Sequence, residues 1–301
     1  MYKPRFSMQH FETAREMLTY LDPLDTERWP PGKFIFRGQP SSDLGLIPSS
    51  HRIEGEVSAP KRWGTKETTC GDQVQFEQEV IQHFIQACDS SGFPVPGDNN
   101  QLRSVVADGG WRNRPHEWPP KEIHNALAFA QHHGIPTCLL DWSKRAHIAA
   151  YFAASSALSS GVGDKQRLAV WALNRMSEEA SIIEAPGSTS PNLAAQSGVF
   201  TIAGISSYLE KPQPEEEAPF LPLGMQHQDS LLDRRLDPFT LELITVGADQ
   251  AVELLKACQL LGVSGSTIFP GYDGIARKVK DWANTEHQGF DPEEIALRDL
   301  W

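Results

Sequence analysis

The sequence is short of basic charge, of paired cysteines and of long apolar runs. Lys and Arg number 27 against 39 Asp and Glu, a formal net charge of −12. So acidic a surface argues against coating duplex nucleic acid through bulk charge, though it leaves room for a local basic pocket. The four cysteines, Cys70, Cys88, Cys138 and Cys258, are scattered with no CxxC pair. That points away from a zinc knuckle and from a disulfide framework, and fits reduced thiols in a cytoplasmic setting. No stretch approaches the roughly 18 apolar residues of a membrane span. The N-terminal MYKPRFSMQHFETAREML lacks the apolar core of a secretion signal. There is no dense acidic motif of the kind a metal-dependent phosphoesterase gathers around its ions, and no internal repeat.

What is there is a chain of 301 residues, 40% hydrophobic and 22% charged, long enough for one large domain or two small ones. Gln9 to Leu21 carries Phe11, Ala14, Leu18 and Leu21 at helical spacing, and Asp22-Pro23 closes it. Phe34 to Phe36 reads as a short strand. Ile53 to Gly71 reads as loop. Asp72 and Gln75 resemble a capping box for a helix bearing Phe76, Val80, Ile81, Phe84, Ile85 and Cys88 on one face. Residues 89–120, rich in Gly, Pro, Asn and Trp, read as a long functional or variable loop.

Glu122 to His133 is predicted helical, with Gly134 ending it. Ile135 to Leu140 reads as a short apolar strand, after which either Asp141 or Ser143 can cap a helix over Ala146 to Leu158 that is apolar on nearly every side. Strands are predicted over Leu168–Leu173, Val199–Ala203 and Leu241–Val246. Residues 206–225, rich in Pro and Glu, read as a surface loop. Ala251 to Leu261 reads as an amphipathic helix, Val263 to Phe269 as a strand or extended segment, and Gly274 to Ala283 as a final helix capped by Asp273. The elements interleave without a clean linker, so the expected fold is one α+β domain, a mixed sheet with flanking helices, spanning 1–301 with its core at about 34–282.

Three stretches carry chemistry. Phe36-Arg37-Gly38-Gln39 delivers a guanidinium, whose rigid fork suits phosphate or carboxylate, beside a glycine that lets a ligand approach the backbone. The bland alternative is a strand-end arginine paired with a carboxylate. Gln131 to Trp142 (QHHGIPTCLLDW) packs two imidazoles, a hydroxyl, a carboxylate and an indole around a Gly and a Pro. These groups either satisfy one another or face a cleft. His132 and His133 diverge by about 100° on a helix, so a shared metal ion is not expected. Gln196-Ser197-Gly198-Val199-Phe200 brings an amide to the start of a strand. A fourth stretch, Thr267 to Gly274, reads as structural.

In this order the stretches resemble the FRG domain family: the FRGQ strand, an H-G-x-P-T-x-L-L-D-W core followed by AAYFA (Ala149 to Ala153), a Q-x-G-x-F segment and a terminal F-P-x-x-D-G. The resemblance spans about Phe34 to Trp282. It departs from the family before the glutamine, where a basic residue is frequent and this chain has Pro191-Asn192-Leu193-Ala194-Ala195. The order of parts is similar in outline to NAD-dependent ADP-ribosyltransferases. That likeness implies that Arg37, Gly38 and Gln39 hold NAD, that Thr137 and Trp142 line a nicotinamide pocket, that His132 or His133 orients a ribose hydroxyl, and that Gln196 stands where those enzymes place a glutamate. Asp141 is the carboxylate available to supply the missing charge. Family resemblance also implies a bacterial or viral setting, in conflict between microbes or phages.

Three functions remain open at this stage. One is a nucleotide-using transferase or glycohydrolase acting on NAD, with Arg37, His132, His133, Asp141 and Gln196 as its catalytic set and no metal. The second is a non-catalytic module that recognises a nucleotide, a nucleic-acid end or a peptide. The third, a metal-dependent phosphoesterase built on His132, His133, Asp141 and Asp273, is the weakest. The macromolecular target is left open by all three.

Overall fold

A computed structural model describes residues 6–52, 57–58, 68–163, 165–176, 181–185, 187, 190–202 and 240–286. Its frame is a single mixed sheet of seven strands: β1 (Ser7–Phe11), β2 (Phe34–Gln39), β3 (Leu139–Ser143), β4 (Arg167–Asn174), β5 (Ser181–Ile183), β6 (Gly198–Ile202) and β7 (Leu241–Gly247). They lie in the order β1-β7-β4-β2-β3-β6-β5. β1 and β7 run parallel and every other neighbouring pair is antiparallel.

The helices are α1 (Ala14–Tyr20), α2 (Cys70–Ser91), α3 (Asn100–Ala107), α4 (His124–His132), α5 (Ala146–Ser160), α6 (Pro191–Ala195), α7 (Ala251–Leu260), α8 (Gly265–Ile268) and α9 (Tyr272–Glu286). One sheet face packs Phe36, Leu168, Val170, Ala172, Ile244 and Val246 against α1, α5 and α7. The other packs Ile35, Leu140, Trp142, Ala169, Trp171, Leu173, Leu241 and Leu243. This period-two alternation is what a sheet buried on both faces requires. A third cluster joins α2, α3, α4, Trp111 and Trp118 to Leu139, Phe200 and Ile202.

Helix α5 is buried along most of its length because Ala and Ser keep it slim enough to lie against the central strand. Closest approach comes at Gly38, where a Cβ would sit 1.9 Å from the carbonyl oxygen of Ala149 and 2.7 Å from the amide nitrogen of Ala153. Gly38 is therefore the hollow into which α5 fits, and it faces the helix.

Several predicted elements are corrected. Gln9 to Phe11 belong to β1, and only Ala14–Tyr20 is helical, capped by Thr13 with Glu16 in a capping box. Thr69 and Asp72 form the box that opens α2, so Cys70 and Gly71 are helical. The expected loop over 89–120 contains α3 and two short 3-10 turns, anchored by buried Trp111 and Trp118. Strand β3 starts at Leu139 and runs through Asp141 to Ser143, so Asp141 caps nothing, while Ser143 Oγ accepts from the amide of Arg145 at 3.0 Å. Residues 265–268, expected to be extended, form α8 with Ser264 and Thr267 in a capping box. Asp273 lies inside the first turn of α9 instead of preceding it. The 206–225 stretch and most of 53–67 lie outside the described residues.

Candidate functional site

Arg37 lies within β2, not at its end, and pairs with Trp171 of β4. Its side chain leaves on the face opposite Gly38. β2 meets β3 in register only at Phe36 and Ser143. Beyond that point the guanidinium bridges the two strands, donating from one terminal nitrogen to the main-chain oxygen of Asp141 at 2.7 Å, 3.6 Å from its carboxylate. The Arg37 side chain is 13% exposed and its Nε has no hydrogen-bond partner among the described residues, whereas the Asp141 side chain is 64% exposed. Burial lowers the pKa of Arg37, with the Asp141 charge opposing and nearby Arg52 reinforcing the shift. Arg52 is lowered by burial too, again against the pull of Asp141. One carboxylate thus sits in the field of two guanidinium groups.

Asp141 is held from the other side as well. Gln131, on the last turn of α4, donates from Nε2 to Asp141 Oδ1 at 2.6 Å. The carbonyl end of that amide accepts from Thr137 Oγ1. Thr137 is fixed in turn by Ser49, whose Oγ accepts its amide at 3.0 Å. Gly134, at φ 82°, provides the left-handed turn that brings the chain back from α4 toward Thr137. The QHHGIPTCLLDW stretch is therefore one device: Thr137 sets Gln131, and Gln131 sets the carboxylate.

Beside Asp141 is a cavity of about 150 Å³, lined by Phe129, His132, Ser190, Gln196, Phe200 and Phe269 among others. His132 lies 3.1 Å from the Ser190 hydroxyl. Burial, with a contribution from the charge of His133, lowers its pKa, which keeps its imidazole neutral near pH 7. Gln196 ends α6, just before β6, and its Nε2 donates to the main-chain oxygen of Ile268 at 3.1 Å. Phe200 pairs across the ladder with Asp141 and shares its face.

Of the residues singled out in the sequence, His132, Asp141 and Gln196 meet at this cavity, and Arg37 joins through Asp141. His133 does not line it and instead sets its ring edge-on against Phe129 and His132. Gln39 is buried, its amide closed between the indole of Trp171 (2.7 Å) and the carbonyl of Gly45 (3.0 Å). Trp142 is buried too, donating to Thr201 Oγ1 at 2.8 Å. Thr137 acts behind the site, through Gln131. Sequence reasoning missed Arg52, Gln131 and the three phenylalanines. Gln131 and Phe200 stood inside motifs already marked, and Phe269 stood in the one set aside as structural. Among the described residues no group of three or more His, Cys, Asp and Glu side chains is placed to hold a metal ion. No helix among them is long and apolar enough to cross a membrane.

No curated protein matches the chain, and no solved structure does. A family model does match: the FRG domain, over residues 32–161. That span holds both arms of the site, Phe36-Arg37-Gly38-Gln39 and the Gln131–Trp142 device that converges with it on Asp141, and by it the chain contains an FRG domain.

Proposed function

We propose that the cavity receives the nicotinamide ring of NAD and that Asp141 promotes cleavage of the bond between that ring and its ribose. The observation that carries this reading is the match of size and chemistry at one carboxylate. A cavity of roughly 150 Å³ is known to accommodate one benzene ring, and this one, at about 150 Å³, has three phenylalanine rings and Asp141 in its wall. A whole dinucleotide needs more room than that, so the rest of the molecule would extend outside, toward the positive charge of Arg37 and Arg52.

On this reading the bond from ribose C1′ to the nicotinamide nitrogen breaks and its electron pair leaves with the ring. The positive charge left on the sugar is stabilised by the Asp141 carboxylate, whose orientation Gln131 and Arg37 fix in advance. Water or a nucleophile on a macromolecule then adds to C1′ and gives up its proton. His132, neutral near pH 7, is the group at the cavity able to accept it. Gln196 carries no charge and serves as a wall that bonds to Ile268.

A second reading, binding without chemistry, is favoured by that same Gln196: where the transferase likeness calls for a glutamate, this chain presents an amide already engaged with the backbone. Incubating the full chain with NAD labelled in its adenylate half, with and without cell lysate, separates the two. Release of nicotinamide that disappears in Asp141→Asn supports cleavage. Saturable binding with neither release nor label transfer leaves a recognition module, and neither binding nor release removes the proposal.

A further inference from the structure

Helix α9 is amphipathic the wrong way round. Over Tyr272–Glu286 the buried residues are Gly274 and Asp281. Gly274 sits where a Cβ would come within 1.8 Å of the carbonyl oxygen of Phe269. Asp281 accepts from Tyr151 at 2.5 Å and from Ser155 at 2.6 Å. The helix is therefore fastened to α5 by a carboxylate and to the backbone of Gly265 and Phe269, at α8, by a glycine. Its large apolar side chains point outward: Tyr272 is 89% exposed, Ile275 53%, Val279 55% and Trp282 61%. Spacings of three, four and three residues put all four on one stripe, the seam pattern of a helix that pairs with another helix.

The stripe is also a palindrome along the helix axis. Tyr272 and Trp282 stand equally far from the level of Arg277, and so do Ile275 and Val279. A second copy laid antiparallel across a two-fold axis at that level sets Tyr272 against Trp282 and Ile275 against Val279, large against large and β-branched against β-branched. Such self-complementarity is what an isologous interface demands. Four side chains of this size and exposure on each copy, with their flanks, bury on the order of 1,000 Å² in total, the lower bound for a specific interface. α9 also carries exposed Arg277, Lys278 and Lys280, so an anionic lipid surface is the competing occupant, and the palindromic register is what favours a second copy.

We infer that α9 is a homodimer interface, two copies of the chain packing antiparallel through Tyr272, Ile275, Val279 and Trp282. The two-fold brings Lys278 of each copy near its symmetry mate, so added salt leaves association unchanged or tightens it. Anionic vesicles would be lost with salt instead.

Sedimentation analysis of the full chain tests this. The expected species has twice the 33.4 kDa chain mass. Trp282→Ala is expected to weaken self-association about tenfold or more, and Ile275→Glu to give monomer with the melting curve of the parent chain, because the side chain it replaces is half exposed. Register is read by mixing Ile275→Cys chains with Val279→Cys chains under mild oxidation. A cross-link formed in the mixture, and not by either alone, is the predicted result. A monomer at concentrations where weak dimers form overturns the inference, whether the stripe then binds vesicles or is covered by the chain's own residues. So does a dimer indifferent to Ile275→Glu and to a second variant, Val279→Lys.

Discussion

Gly38→Ala is the sharpest test of how the central motif works. If Gly38 existed to admit a ligand, an added methyl would cost binding and leave the fold alone. The structure places that methyl on the other side of the strand, 1.9 Å from the Ala149 oxygen, 2.7 Å from the Ala153 nitrogen and 2.9 Å from the Ala149 carbonyl carbon. All three are main-chain atoms, so no rotamer change relieves them. β2 is held by β4 across its whole length and by β3 at Phe36, and α5 is buried against α7, so relief requires the helix to lift by about 1 Å or more. Overpacking that a core can absorb costs about 1–3 kcal/mol. With only backbone to displace, the expected cost is about 3–5 kcal/mol, a large part of the roughly 5–15 kcal/mol that holds a domain together. For a chain of this size that is a fall of about 6–15 °C in melting temperature. The assay is thermal or urea unfolding, with Gly109→Ala as control. Gly109 has nothing within 4 Å of its would-be Cβ and lies outside the left-handed region, so it should change stability by less than about 0.5 kcal/mol. Gly38→Ala with parental stability but lost ligand binding would refute the packing explanation.

Further predictions follow from groups elsewhere in the fold. Glu77 is buried and accepts from Ser50 (2.7 Å), His51 (3.0 Å), Gln73 (2.7 Å) and Trp118 (2.7 Å). Burial alone would raise its pKa, but the hydrogen bonds and charge of His51, with Ser50 and Gln73, outweigh it and hold the carboxyl below the usual range. A depressed folded pKa contributes stability above the ordinary carboxylate pKa that fades as pH falls through the folded value. Glu77→Gln should therefore cost about 2–4 kcal/mol at neutral pH, with the gap to the parent narrowing below about pH 4; a gap independent of pH in urea titrations would contradict this. Burial pushes the Cys70 and Cys258 thiols up to about 12, and burial with the neighbouring Glu77 charge raises Cys138 well above its ordinary value. A thiol reagent at neutral pH should modify the part-exposed Cys88 quickly and the other three only on unfolding. Arg37→Lys keeps a charge but loses the fork that spans to the Asp141 main-chain oxygen. It should retain the fold and lower nicotinamide release about a hundredfold, and undiminished turnover would show that the guanidinium does not set the site.

How much of this was legible in the sequence depends on which physics each segment obeys. The nearly continuous apolar runs of β4 and β7 and the all-round apolar, Ala-rich α5 declared themselves, because burial on both sides asks for apolar residues at almost every position. The start of β1 was hidden: Ser7–Phe11 is an edge strand whose polar residues make no apolar run, and Phe11 also fits the stripe of α1. Residues 100–107 were masked by the Gly, Pro and Asn around them, although Asn99 caps the helix they form, accepting from Leu102 at 3.0 Å. Phe36-Arg37-Gly38-Gln39 gave away its location but not its division of labour, since strand alternation sends Gly38 to α5 and Arg37 and Gln39 to the opposite face. Of the site, Asp141, His132 and Gln196 were legible as polar groups at the ends of apolar runs. Gln131 was not, because its role depends on Thr137 and Asp141 meeting across a turn, and no spacing rule encodes that.

The account rests most heavily on one ring entering the cavity beside Asp141. Saturation-transfer nuclear magnetic resonance on nicotinamide, added to the full chain, tests it directly. Strong transfer to the ring protons is predicted, displaced by NAD and abolished in Asn192→Trp, which sets an indole in the cavity that Asn192 helps to line. Transfer that persists unchanged in that variant, or none with the parent chain, would contradict it.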